Sequence, residues 1–390
     1  YRWSGSASAA AFAIVGGLAT GDPGAATESP AGDPAGEPPT LHASAARLMA
    51  NGVRESVTGS PTAALSALVQ AAALLEPDGR AALLPDSPAA LAALTAVHCG
   101  ELEIAERVLH RASGAGVGGP LMARRHQLLQ AWILMVRGEI HAASERLATV
   151  TIDGRQLESR DQLFAAAIRL GIGRRNSDLG ALKRGWGQAL EAVVRHPVDL
   201  FTLLPLGELA IAGARLGDLA RLEPYLLQGR SLLDRLGNPP LWSVPLHWSG
   251  LHAAILTGEP AVADEHVAAL LAAAGHSRYA AVVAAAGESW VEVLRGVVDP
   301  VRVEAAARGL HDTGLCWDGA RLAGQAAIRT ADRRAMTSLL ECARALQGRP
   351  PTGQGGRPRR PGRARHGRTA RPSRGSATAS TRSPSWCSPG

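Results

Sequence analysis

The sequence predicts an all-α chain, and within that class an α-solenoid of TPR-like helix-turn-helix pairs with disordered termini. Three observations carry the expectation. Ala and Leu dominate while aromatic residues make up only 4% of the chain, a balance that favours helix-on-helix packing over sheet. From Leu41 to Gln347 the apolar residues recur at helical spacing almost throughout. A short turn signal also returns about every forty residues, at Gly59-Ser60, Gly100-Glu101, Gly138-Glu139, Asn176-Ser177-Asp178, Gly217-Asp218, Gly258-Glu259 and Asp299-Pro300, with Asp332 following at shorter spacing.

Each turn separates two apolar segments, as in AWILMVR-GE-IHAASERLATV around Gly138. A glycine there can take the left-handed conformation that ends the first helix. The acid after it favours the positive end of the second helix. Pro61, Pro260 and Pro300 fall at early positions of a second helix, where a missing N–H costs little. Small residues one turn later (Ala105, Ala143, Ala263) let the paired helices approach closely. A period near forty with two helices per unit is the signature of a stacked helical array, in which no unit buries its own apolar face alone.

Three regions follow from this pattern. Residues 1–40 are expected to be a fragment end plus the linker GDPGAATESPAGDPAGEPPT, too rich in Pro, Gly and acid to build a core. The chain opens on Tyr1, which predicts a piece of something longer. The segment Ser4–Thr20 is mildly apolar, too weak for a membrane span, and no basic cluster precedes it as an export signal requires. Residues 41–348 are the helical array. Four scattered cysteines with no CxxC pair point to neither a disulfide framework nor a zinc site, which makes a reducing cytoplasm the expectation.

Residues 349–390 form a tail unlike the rest. From Pro350 onward there are nine Arg, no Lys and no acid; the preceding residues hold 32 basic and 34 acidic side chains, a net of −2, so the formal charge of +7 sits in the tail. At face value this is a disordered basic arm for nucleic acid. A second origin explains it better: a GC-rich reading frame translated one nucleotide out of register. Regrouping the bases across Trp386 and Cys387 must give GTG, valine, and the last ten residues can regroup to x-E-V-A-E-L-V-L-A-G. That string resembles the opening of the helix-turn-helix domain of LuxR-type transcription regulators.

The helical region carries the same resemblance. The stretches Leu83–Leu109, Leu121–Glu139 and above all LCWDGARLAGQAAIRTADRRAMTSLLECAR from Leu315 to Arg344 resemble the large ATP-binding LuxR-type regulators of high-GC bacteria, of the isoniazid-inducible type. That family runs from an ATP-binding domain through a helical sensor to the DNA-binding module. The resemblance implies effector sensing and control of transcription, with DNA read only through a helix-turn-helix absent from this chain. The partner of the array itself would be a small-molecule effector or a partner protein domain, with no membrane. The alternative is a helical interaction scaffold whose basic tail binds nucleic acid non-specifically.

No motif in the chain predicts catalysis or a cofactor. The single lysine, Lys183, lies in ALKRG, so no Walker A motif exists. Gly171-Ile172-Gly173 lacks both the preceding strand and the third glycine of a dinucleotide fingerprint. Gly287-Glu288-Ser289-Trp290-Val291 is half of a nucleophile elbow in a helical context. No HExxH run supports a metal. The candidate ligand or partner surface is therefore Trp242, His247, Trp248 and His252, which follow the loop Gly237-Asn238-Pro239-Pro240, together with the basic step Arg124-Arg125. Each of the tryptophans has a competing role as a core anchor between repeats.

Overall fold

The computed structural model describes residues 7–28, 40–77, 84–151 and 156–347. The basic tail, and most of the Pro/Gly-rich linker, lie outside these residues. In chain order the helices are α1 (Ala7–Thr20), the single turn α2 (Gly24–Thr27), α3 (Leu41–Thr58), α4 (Pro61–Leu75), α5 (Pro88–Cys99), α6 (Leu102–Ala115), α7 (Gly119–Arg137), α8 (Ile140–Thr151) and α9 (Ser159–Arg175). They continue with α10 (Leu179–Arg195), α11 (Leu203–Leu216), α12 (Glu223–Arg235), α13 (Pro240–Thr257), α14 (Pro260–Ala273), α15 (Arg278–Leu294), α16 (Pro300–Asp312), α17 (Cys316–Arg329) and α18 (Arg333–Ala345). No strand occurs among the described residues. None of the helices is long and apolar enough to cross a membrane.

From α3 to α18 the helices form eight consecutive pairs, and every turn picked out in the sequence lies between the two helices of a pair. Gly100, Gly138, Gly217 and Gly258 take left-handed φ values of 76°, 85°, 73° and 76°, the conformation that ends a helix without a Cβ penalty. In the fourth pair Ser177 adopts it instead, at φ 56°. The residues that follow act in two ways. Ser60, Asp178, Asp299 and Asp332 accept hydrogen bonds from backbone N–H groups of the next helix, satisfying donors that would otherwise be orphaned. Glu101, Asp218 and Glu259 make no such bond; Glu101 and Glu259 offer the helix end their charge, and Asp218 instead accepts from Trp186 Nε1 at 2.6 Å.

The two helices of a pair differ in burial. In α5 eleven of twelve residues are buried, Cys99 being the exception. In α14 only Ala263, Val267 and Leu270 are. The central first helix α5 is thus sandwiched on nearly all sides, whereas the end helices α3 and α17 bury about half of their residues; second helices such as α14 present one apolar stripe inward and a polar face to water. Alanine at so many buried first-helix positions keeps the backbones close, and the density of contact that results is what makes even a one-methylene change costly.

Two expectations need correction. Residues 1–40 are not merely a fragment end and linker: α1 packs on α3 and buries Ala11, Ile14, Val15 and Leu18 in the main core. Its C-terminal carbonyls, Thr20 O and Gly21 O, accept hydrogen bonds from Arg235 on α12 at 2.9 and 3.1 Å. A weakly apolar, small-residue segment was too poor for a bilayer yet suffices for a protein surface, because packing needs only one apolar stripe. Second, neighbour-only stacking, the defining property of a solenoid, is incomplete. The array also packs α13 on α3 and on α5, α15 on α5, and α17 on α7, so first helices from distant pairs share one core.

Candidate functional site

Second helices pack on the first helix of the following pair at six of the seven seams; at the remaining one, α12 makes at most marginal contact with α13. A cleft of about 730 Å³ opens there, between α12 and α14 over a floor of α11 and α13. Local sequence explains the gap. Many of the residues of α13 and α14 that face it are small, among them Ser243, Gly250, Ala253, Ala254, Ala269 and Ala272. They lack the side-chain volume to fill the space to α12. The turn that leads from α12 to α13 is set by Gly237 and Asn238, both at positive φ, with Pro239 and Pro240 following.

One side of the cleft carries paired imidazoles. His247 Nδ1 and His266 Nδ1 lie 3.1 Å apart, a distance that requires one to donate and the other to accept. Burial, then each other's proximity and that of Arg230, depresses His266 to about 4; burial and Arg230 lower His247 as well. The pair is therefore neutral at pH 7, each ring holding one proton, with one of the two lying between the Nδ1 atoms. The His266 ring rests on the α13 backbone at Gly250, where an added methyl would lie 2.3 Å from Nε2. Around the opening stand Glu223, Asp234, Glu259 and Glu265 against one base, Arg230. Arg230 is 3.4 Å from Glu223, and Asp234 accepts from Asn238 Nδ2 at 2.8 Å.

Of the six residues named from sequence, only His247 faces this cleft. Trp242 is 1% exposed; its Nε1 donates to Ser56 Oγ at 3.0 Å, and its ring meets His98 at a tilt and Phe201 edge to face. Trp248 lies edge-on to His252, whose ring centroid is 4.4 Å away, and His252 in turn meets Trp290. Both line a small interior space of about 60 Å³ instead of a surface. Burial drives the His252 imidazole well below its ordinary range, with Arg321, Arg174 and Arg175 adding to the effect. Arg125 is wholly buried, 3.4 Å from Asp161 and 3.5 Å from Asp86, with its guanidinium over the Phe164 ring. Arg124, half-buried, is one residue along α7 and not in the cleft. The candidate surface is thus divided: Trp242, Trp248, His252 and Arg125 lie on the faces of α13 and α7 that turn into the apolar interior, while His247 lies on the cleft face of α13.

The interior holds functional-looking groups that no motif announced. Glu208 on α11 accepts from Arg174 Nε at 2.8 Å and Nη2 at 3.2 Å, and from Arg175 Nη1 at 3.2 Å. Burial alone would raise its carboxyl, but the two guanidiniums overcome that and bring it down to about 2. The Trp317 ring of α17 lies under Arg174, Arg175 and Arg321, at 4.8, 5.5 and 5.4 Å. The sequence signal was an acid inside an apolar run, LLPLGELAIAG, since a charge is placed there only when paired. Ser87 and His126 form a second unannounced pair, with Oγ 2.6 Å from Nε2. Ser87 also caps α5 by accepting from Ala90 N–H at 3.0 Å, and both residues are fully enclosed, which is a packing role and not an exposed nucleophile. Among the described residues no group of three or more His, Cys, Asp or Glu is placed to hold a metal ion. No family model, curated protein or solved structure matches this chain.

Proposed function

We propose that the chain is the helical sensing region of a LuxR-type transcription regulator, taking up a small effector and performing no chemistry of its own. The observation that carries the reading is the single open seam. A cleft of about 730 Å³ is in the range that small-molecule sites occupy, and it separates α12 from the next pair at the one seam where a second helix does not pack on the first helix that follows, although α11 and α13 stay packed beneath it. An effector that fills the seam would favour one spacing of α12 against α13 and α14, and so shift the population of array conformations by its differential affinity for them. The resemblance of Leu315–Arg344 to the family segment preceding the DNA-binding module supplies the regulatory context.

The purified chain should show no ATP turnover and no sequence-specific DNA binding. ATP hydrolysis, or operator binding that survives truncation after Gly348, would sink the reading. Resequencing the coding DNA across codons 340 to 400 tests the regulator context directly: a one-base change should restore a frame reading L-x-x-R-E-x-E-V-A-E-L-V-L-A-G. The second reading, a scaffold with a nucleic-acid arm, is favoured by the nine acid-free arginines. It requires sequence-blind binding that falls steeply with salt and vanishes on the same truncation.

A further inference from the structure

The geometry points to the α11–α14 cleft as a site for a cationic amphiphile, a small molecule with an apolar body and one protonated amine. This deepens the effector reading above and rests on it for the biological role, though not for the binding itself.

The cleft has an apolar interior and an acidic mouth. Leu226, Leu233, Leu246 and Val262 line its walls, so a ligand gains affinity there by removing hydrocarbon from water. At the mouth four carboxylates face one guanidinium. That guanidinium is engaged with Glu223, while Glu259 and Glu265 have no ion-pair partner among the described residues. An anionic ligand would add to this excess of negative charge, and a cation would relieve it.

The imidazole pair supplies the polar recognition between floor and mouth. With one proton shared between the two Nδ1 atoms, the donating ring is left with a bare Nε2 acceptor, and the accepting ring must carry its own proton on Nε2. The pair therefore offers one acceptor and one donor and no charge, leaving the acids unopposed. Gly250 makes this arrangement possible. A side chain at that position would occupy the place of the His266 ring, so the glycine holds open both the ring's seat and part of the cleft.

A charge series on one rigid skeleton tests the proposal. Calorimetric titration of the full chain at pH 7.4 with 1-adamantanamine, 1-adamantanol and 1-adamantanecarboxylate should give an amine Kd at least tenfold below that of the alcohol, with no heat from the carboxylate. The double variant Glu259→Gln/Glu265→Gln changes only exposed mouth residues. It should weaken the amine about tenfold and leave the alcohol unchanged. Ala269→Leu, which narrows the cleft from its α14 wall, should weaken both at least tenfold; Gly250→Ala, which displaces His266 from its seat while favouring helix, should do the same and keeps the test open if the leucine fails to fold. Equal binding of the three compounds, no amine binding, or amine binding indifferent to the fillers each overturns the proposal. Those outcomes leave the regulator reading to its own DNA and ATP tests, and ATP turnover would overturn that reading without touching the amine result.

Discussion

Trp242 Nε1 donates to Ser56 Oγ at 3.0 Å across 186 residues of chain, joining the sixth helix pair to the first. The bond is buried at both ends, and the Ser56 hydroxyl in turn donates to Val53 O at 2.6 Å. Together with the contacts of α13 on α3 and α5, it converts a linear stack into a single core with long-range closure.

Trp242→Ala should therefore cost about 4 kcal/mol, the usual price of deleting a fully buried large aromatic. Ser56→Ala should cost about 1–3 kcal/mol, because it leaves the indole N–H buried without an acceptor. Urea denaturation of both variants measures this. If closure is real, both should unfold in one transition with the rest of the chain; a separate early transition confined to α3 and α4 would show that the bond is ornamental to the array.

Glu208 makes stability depend on acid in a defined window. Its folded value of about 2 lies below the ordinary 4.5, so its contribution is fully present above about pH 4.5 and is lost as pH falls toward 2. The linkage amounts to about 3 kcal/mol. Glu208→Gln should destabilise the chain at neutral pH by about 3–5 kcal/mol, since Arg174 and Arg175 keep their buried charges without a counter-ion. The same variant should flatten the pH dependence between 4.5 and 2, measured as the urea midpoint.

Buried imidazoles add an earlier acid limb. Burial holds His98 at about 4 despite its bond to Leu94 O, and holds His126 at about 4 although Asp86 acts to raise it. Histidine with a depressed folded value stabilises the fold above its unfolded value of about 6.5 and loses that contribution as pH falls toward 4. The urea midpoint should fall continuously from pH 6.5 to 4, and His98→Leu should remove about one proton from that dependence. An unchanged slope would mean that His98 is protonated in the folded chain.

Removing Arg235's guanidinium should loosen α1 selectively. Arg235→Met keeps most of the side-chain stem and deletes the donors to Thr20 O and Gly21 O. Hydrogen exchange should quicken at the amides of Ala7–Thr20 and stay unchanged in α5 and α13, since helices held by few contacts open locally before the core does. Uniform acceleration would instead indicate that α1 is integral to global stability.

Cutting after Gly348 should shift the melting temperature by no more than about a degree, because a tail dominated by Arg, Pro, Gly, Ser and Thr has too few apolar side chains to build a core. A drop of many degrees in a calorimetric scan would mean that the tail packs.

Local chemistry was legible in the sequence. Gly138, Gly217, Ser60, Asp299 and Asp332 all stand at helix ends because turn geometry and capping depend on a few adjacent residues, whose identities are on the line of text. His247, named in the sequence among the residues after a Pro-rich turn, lines the cleft between α12 and α14. The readings that failed, or that no motif offered, depend on which side of a helix points where. Trp242, Trp248, His252 and Arg125 sit on the inward faces of α13 and α7, helices that carry no continuous polar stripe to show which residues are enclosed. His266, Glu208 and Trp317 gained their roles from partners 19 to more than a hundred residues away.

By itself, then, the amino-acid order determined the helices, their ends, their pairing and the charge asymmetry of the tail, since each rests on interactions within a few residues or on composition. Only the tertiary structure decided that α1 joins the core, that first helices from distant pairs close on one another, and that the seam between α12 and α13 stays open. Those outcomes depend on the volumes that side chains from separate pairs bring to a shared space: tryptophans fill the interior, while Gly250, Ala254 and Ala269 leave the seam unfilled. Such a sum over distant positions has no signature in any one stretch of sequence.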